Sequence, residues 1–324
     1  MKSVLGAKHF HNEKAAYAFI ENHIWADGRV CPHCGIMENS GKLAGKSTRI
    51  GVYKCYSCRK PFTVKVGTVF ESSHIKMHIW LQAIFLMSSS KKGISSNQLA
   101  RVLGLTQKSA WFLSQRIREA MADGFKLPIG GEGEIVEADE TYFGQKKEKA
   151  KTRTSGAPFT KGGAKGTANQ RAIVSLVERG GKVRSFHVDK ADKATVEAIV
   201  FQNVSKDSQF FTDESRLYTG AKGYVFSHQT IHHASGEYAR GEVHTNSIEG
   251  YFGIFKRGMK GVYQHCDEKH LHRYLSEFDF RYNAREALGY SDEDRALLAL
   301  KGVIGKRLTY KKIGTKTNEE RPQA

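Results

Sequence analysis

Glu134-Ile-Val-Glu-Ala-Asp-Glu-Thr-Tyr-Phe-Gly144 decides how the second half of this 324-residue chain folds. β-Branched and aromatic residues recur through it and a glycine closes it, so Glu134–Tyr142 reads as a strand. Alternation puts Ile135, Glu137 and Asp139 on one face and Val136, Ala138 and Glu140 on the other. Working outward, Arg171–Glu178, Val183–Val188 and Ser208–Thr212 have the same short, β-rich character between turn residues. A fifth strand is expected at Tyr224–Thr230. Helical spacing marks Lys193–Val204, Ser247–Met259, Glu268–Arg285 and Asp292–Lys301, with Ser291 placed to cap the last of these. The order is that of an α/β domain.

Three acids stand out against that frame. Asp139 lies in the first strand, Asp213 ends the strand that carries Phe210-Phe211-Thr212, and Glu249 sits early in the helix Ser247–Met259. Thirty-five residues separate Asp213 from Glu249. Along that helix Ile248, Phe252, Phe255 and Met259 make an apolar stripe, and Asn246, Glu249, Gly253 and Lys256 make a second stripe beside it. Hard divalent ions take carboxylate oxygens, and in-line phosphodiester cleavage is served by two such ions about 4 Å apart. Lys256, two turns after Glu249, suits a phosphate as a point charge. Each acid also has a plain reading as a turn, strand-end or solvated helix carboxylate, and Glu140, Glu214 and Glu242 lie nearby. Alternation favours Asp139 over Glu140 but does not separate Asp213 from Glu214.

The whole chain is basic. Lys and Arg number 51 against 33 Asp and Glu, a net charge of +18, which favours a polyanionic partner through counterion release. An anionic membrane surface is the alternative. The N-terminal residues lack the apolar core of a signal peptide, and Ile75–Met87 is too short and too polar to span a bilayer, so a cytoplasmic, nucleoid-associated protein is expected. Cys31-Pro-His-Cys34 and Cys55-Tyr-Ser-Cys58 are two CxxC knuckles with 20 residues between them, a spacing that suits one tetrahedral, structural Zn²⁺. Cys266 stands alone as an ordinary thiol.

Between these regions, Ile94–Ile117 reads as two helices about a Gly104 turn, with Thr106 capping the second. Ala110, Leu113 and Ile117 would pack inward, leaving Lys108, Gln115 and Arg116 facing out toward a major groove. Gln145–Arg171 carries eight Lys and Arg against Glu148 and several glycines, a basic loop able to grip phosphate through residues such as Lys146 and Lys147. From about Thr315 the chain is polar, and a disordered tail is expected. The expected organisation is a helical lead-in and zinc ribbon over 1–74, a helix-turn-helix over 75–127, a catalytic-type α/β core over 128–290 and a terminal helix and tail over 291–324.

Val136-Glu-Ala-Asp-Glu-Thr-Tyr-Phe-Gly144, Thr212-Asp-Glu, His244-Thr-Asn-Ser-Ile-Glu-Gly-Tyr-Phe-Gly-Ile-Phe-Lys-Arg-Gly258 and Lys269–Asn283 together resemble the ISXO-like insertion-sequence transposases. The resemblance covers roughly Asn12 to Leu288. It implies an N-terminal zinc ribbon, a helix-turn-helix and a ribonuclease-H-like DDE core, a fold that the α/β order admits but does not single out. It implies Asp139, Asp213 and Glu249 as ligands of two Mg²⁺ or Mn²⁺ ions, with Lys256 as the trailing basic residue and Arg257 beside it on DNA. Asn246 is a second candidate for the third position. The activity implied is that of a bacterial DNA transposase. It would bind terminal inverted repeats, nick the element's ends, and join the freed 3′-OH to target DNA, acting as a homodimer in the synapse. The alternatives are a ribonuclease-H-like endonuclease that does not join strands, or a domesticated DNA-binding regulator.

Overall fold

The structure, a computed structural model, describes residues 3–122, 127–147, 167, 169–232, 236–237 and 239–309. Most of the basic loop and the polar tail therefore lie outside the described residues. The chain forms two compact units. One runs through residue 86, takes in 96–120 and resumes at 297; the other comprises 87–95 and 121–296. No helix among the described residues is long and apolar enough to cross a membrane.

The first unit opens with α1 (Glu13–Ile24), whose cap Asn12 accepts from the Ala15 N–H at 2.9 Å. A small antiparallel sheet follows, β1 (Ser40–Lys42), β2 (Tyr53–Cys55) and β3 (Pro61–Phe62), in that order. Strand pairing stops at Phe62, and Thr63–Val66 turns away rather than extending the strand. The sheet buries Cys31, Tyr53, Cys55 and Phe62, with Trp25 edge-on to both rings. So small a core needs a further staple. Next come α2 (Met77–Ser89), α3 (Ser96–Leu103) and α4 (Gln107–Met121). Gly104, at φ +64°, makes the left-handed turn between α3 and α4 that a side chain would strain. Thr106 Oγ1 then accepts from the Ser109 N–H at 3.2 Å, capping α4 as its sequence suggests. The segment after residue 296 closes this unit: the Val69 N–H donates to the Val303 carbonyl, and the Gly305 N–H to that of Gly67.

The second unit is a five-stranded sheet in the order β6-β5-β4-β7-β8. Strands β4 (Ile135–Gln145), β5 (Gln170–Glu178) and β6 (Val183–Val188) form an antiparallel meander, and β7 (Gln209–Asp213) and β8 (Ser227–Ile231) run parallel to β4. This is the ribonuclease-H-like arrangement: a meander extended on its first strand by two parallel strands, with α5 (Lys193–Asn203) in the crossover. Strand β5 is buried on both faces. Ile173 and Val177 pack against α6 (Asn246–Gly258) and α7 (Leu271–Asn283), while Val174 and Leu176 pack with Val196 and Val200 of α5. The helix α8 (Asp292–Lys301) follows. The fifth strand begins at Ser227 rather than Tyr224, because Tyr224 ends a short helical turn and packs on Phe201 with ring centroids 4.5 Å apart.

Candidate active site and zinc centre

The faces read from alternation are those of the folded sheet. Val136 and Ala138 pack on the α5 side, so Glu137 and Asp139 look toward the α6 side. In β7, Phe210 packs on the α5 side and Phe211 with Ile135 on the other, which puts Asp213 on the side of Asp139. The parallel ladder between β4 and β7 ends at Glu137 and Phe211. Continued by two residues, its register would set Asp139 opposite Asp213, at the carboxyl ends of parallel strands where α/β sheets place their ligands. Glu249 lies in the first turn of α6, with its Oε1 3.2 Å from Thr245 Oγ1.

The charges of these groups act on one another. Burial, then Glu140, Asp213 and Glu249, push the Asp139 carboxyl up to about 8, despite a 2.7 Å hydrogen bond from the Glu140 N–H. Glu140, raised by its own burial, accepts from the Tyr218 hydroxyl at 2.9 Å. The Asp213 carboxylate accepts from the Ser215 N–H at 3.0 Å. Among the described residues these acids do not close to within 4.8 Å of one another as the cysteine sulfurs do. Oxygen donors that repel one another so strongly in a partly dry site suit divalent cations, which neutralise them.

Asn246 is exposed at the first residue of α6, Lys256 is half-buried two turns after Glu249, and Arg257 is exposed beside it. A side chain at Gly253 would meet only Arg257, at 3.5 Å, so this stretch of α6 is open. Lys147 is exposed, whereas the Lys146 ammonium donates to the Asp189 carbonyl at 2.6 Å. Arg171, counted with the basic loop from sequence, is instead buried and donates to the Gln145 and Cys266 carbonyls. Lys149, Lys151, Arg153, Lys161 and Lys165 lie outside the described residues.

In the helical pair Lys108 is exposed, but two expectations fail. Gln115 and Arg116 are buried, not groove-facing. The Arg116 guanidinium donates to the carbonyls of Val69, Glu71 and Leu308, at 2.9, 2.9 and 3.0 Å, and burial lowers its pKa. It is a structural fork that ties three stretches of its unit together. The second half of α4 is buried all round, so only its first turns are available to a partner.

A carboxylate that spacing did not single out receives five hydrogen bonds. Glu137, wholly buried, accepts from the Ser247 and Ile248 N–H groups at 2.8 and 3.0 Å and from the Ser247 hydroxyl at 3.0 Å. The Arg179 guanidinium donates to it from Nε and Nη2 at 3.0 and 2.8 Å. A glutamate flanked by Val136 and Ala138, on the same face as Ile135, was the available signal.

In the first unit the four cysteine sulfurs lie within 4.8 Å of one another, with Cys31 to Cys58 and Cys34 to Cys55 both 3.7 Å. Four sulfurs at about 2.3 Å from one tetrahedral Zn²⁺ would be about 3.8 Å apart, so the donor set fits zinc. The two knuckles share a backbone: Gly35 and Arg59, each just after its CxxC pair, have φ of +75° and +60°. The Cys58 N–H, more than any other group, pulls the Cys55 thiol down to about 7.

Residues 131–283 match the ISXO2-like transposase domain, and residues 11–61 match a transposase zinc-ribbon domain. A Halobacterium salinarum protein described as an uncharacterized protein in transposable element ISH50 is 26% identical over 293 residues, covering 87% of this chain and 96% of that protein. An uncharacterized transposase-like protein of Haemophilus influenzae is 29% identical over 105 residues, 32% of this chain and 84% of its own length. Among solved structures, a pre-cleavage Mos1 transpososome covers 64% of this chain and 77% of its own, at 14% identity and a TM-score of 0.22. The Mos1 strand transfer complex covers 63% and 75%, at 12% identity and a TM-score of 0.21. Likeness that slight carries no residue roles across.

Proposed function

The chain is an ISXO2-like transposase with an N-terminal zinc ribbon, and on that premise we propose that it cuts and joins DNA through Asp139, Asp213 and Glu249. The observation that carries this reading is the placement of Asp139 and Asp213 on one face at the carboxyl ends of β4 and β7, with both Asp213 and Glu249 near enough to act on the Asp139 carboxyl. These three carboxylates would hold a pair of divalent ions, Mg²⁺ or Mn²⁺. Bound there, the ions would activate the attacking oxygen and neutralise the leaving one. Asn246, on the same helix, is the alternative third ligand, and Glu249→Gln against Asn246→Ala separates the two.

The chain's own groups account for the rest. Asp139 and Asp213 come from neighbouring strands and Glu249 from α6, so three separate elements must keep their places for the acids to converge. Lys256 and Arg257 sit in the last turn of α6, where cations also suit the helix dipole, and would pair with backbone phosphates. Lys147, with Lys146 near it, would take phosphates at the mouth of the basic loop, and Lys108 at the start of α4 would reach a terminal inverted repeat. In the first step water attacks the phosphorus at an element end and the P–O3′ bond breaks, leaving a 3′-OH and a 5′-phosphate. In the second, that hydroxyl attacks target DNA. One P–O bond forms as another breaks, and the leaving oxygen takes up a proton. A homodimer would hold the two ends, in the cytoplasm at the nucleoid.

Asp139→Asn should abolish Mg²⁺-dependent end cleavage and leave affinity for the same DNA within a few-fold. Cleavage equal to that of the parent would remove Asp139 from the mechanism. Covalent joining of cut ends to target DNA separates a transposase from an endonuclease that only hydrolyses.

A further inference from the structure

Each of the three acids lies two residues beyond a contact with one ion pair, the buried Glu137 and the half-buried Arg179. Glu137 is itself two residues before Asp139 on β4. Phe211, two residues before Asp213, faces Glu137 across the β4–β7 ladder, and its ring lies 5.3 Å from the Arg179 guanidinium carbon. Ser247, two residues before Glu249, gives both its N–H and its hydroxyl to Glu137. The helix that carries Glu249 makes no side-chain cap of its own at Thr245. Its first amide groups are satisfied by a carboxylate from the central strand instead.

Arg179 completes the joint. Its Nη1 donates to the Glu242 carbonyl at 2.9 Å and its Nη2 to the His244 carbonyl at 3.1 Å, holding the stretch that leads into α6. His244 Nδ1 lies 3.1 Å from Nη2 and 3.5 Å from Glu137 Oε1. The Arg179 N–H donates to the Ile135 carbonyl at 2.8 Å, which fixes the arginine to β4 as well. We infer that Glu137 and Arg179 are positioning residues, an ion-paired plate that sets the axial position and rotation of α6 so that Glu249 faces Asp139 and Asp213. The inference rests on the metal-binding reading of those three acids. Glu137 is not assigned a place among the ligands, because both its oxygens are already hydrogen-bonded to α6 and Arg179.

Glu137→Gln keeps the shape and can still accept from α6 but loses the charge. Arg179→Lys keeps the charge and loses the planar fork. In the full-length protein, Mn²⁺ binding followed by electron paramagnetic resonance should weaken about 10–100-fold in either variant, the usual cost of disturbing groups that orient metal ligands. DNA-end affinity should stay within a few-fold. Val200→Ala, in the core on the opposite face of the sheet, is the stability control and should bind Mn²⁺ as the parent does. Two results overturn the inference: parental Mn²⁺ affinity in folded Glu137→Gln and Arg179→Lys, or an equal loss in Val200→Ala at matched melting temperature. Should both plate variants unfold, hydrogen exchange on the unmutated protein decides. The Ser247 and Ile248 amides should exchange as slowly as the middle of α6, and fast exchange there overturns the plate. A parent protein that binds no Mn²⁺ sinks the metal reading itself, while the exchange measurement still judges whether Glu137 holds the helix.

Discussion

Burial and the neighbouring carboxylates push the metal-free Asp139 carboxyl up to about 8, and this has a thermodynamic sign. An unfolded Asp titrates near 3.8 and the folded one near 8, so between those values the native state binds the proton that the unfolded chain has released. The contribution of this group to stability is full below about pH 4 and is lost as pH rises through 8. Asp139→Asn should therefore stabilise the metal-free protein at pH 9 by roughly 1–2 kcal/mol more than at pH 5. A tenfold change in proton affinity is worth about 1.4 kcal/mol, and partial solvation reduces the total. Thermal melts at the two pH values, with zinc left in place and no Mg²⁺ or Mn²⁺ added, measure this, and equal shifts at both would mean that burial and neighbouring acids do not raise Asp139. At this scale the face of Asp139 was legible, because strand alternation put Val136 and Ala138 on the other side. Gln115 and Arg116 were not, because the carbonyls that receive Arg116 come from Val69, Glu71 and Leu308, remote in sequence. The hint available was local: Arg116 follows Leu113 by three residues and precedes Ile117, at the border of the apolar stripe.

Helices and strands were largely readable as separate elements, since β-branched runs and capping residues act over a few positions. Thr106 at the start of α4 and the runs that became β5 and β6 are where the sequence put them. The order of strands across the sheet was not readable, since the β4–β7 pairing joins segments about seventy residues apart through side-chain burial on both faces. Nor was the borrowed capping of helix ends. Glu13 of α1 accepts from the Met77 N–H of α2 at 2.9 Å, much as Glu137 receives the first amides of α6. The ribbon is the element with least support of its own, as its buried cluster rests on Tyr53, Phe62 and two of the cysteines. Removing zinc with a chelator, or Cys55→Ser, should therefore unfold β1–β3 while the five-stranded sheet stays intact. Near-ultraviolet dichroism of Trp25 packed on Tyr53, together with the zinc content, reads this out. An unchanged Trp25 signal in zinc-free protein would show that the ribbon folds without the ion.

At the scale of the whole chain, the unit that contains the ribbon and the helical pair is interrupted in sequence by the sheet domain and completed by residues after 296. Ala299, Leu300 and Val303 are buried there, and the Leu308 carbonyl receives Arg116. Ending the chain before Leu297 should cost the first unit at least about 3 kcal/mol, from the lost Leu300 and Val303 side chains and their backbone partners. Urea melts monitored through Trp80, buried in that unit, measure it, and an unchanged midpoint would show the closing segment to be dispensable. The net charge of +18 acts at the same scale, by making any DNA affinity fall with added salt.

That interrupted order also sets a timetable for synthesis. A ribosome releases the sheet domain before it releases the stretch that the ribbon-bearing unit is waiting for. A nascent chain can therefore fold the five-stranded sheet while its earlier-made unit still lacks the stretch that closes it.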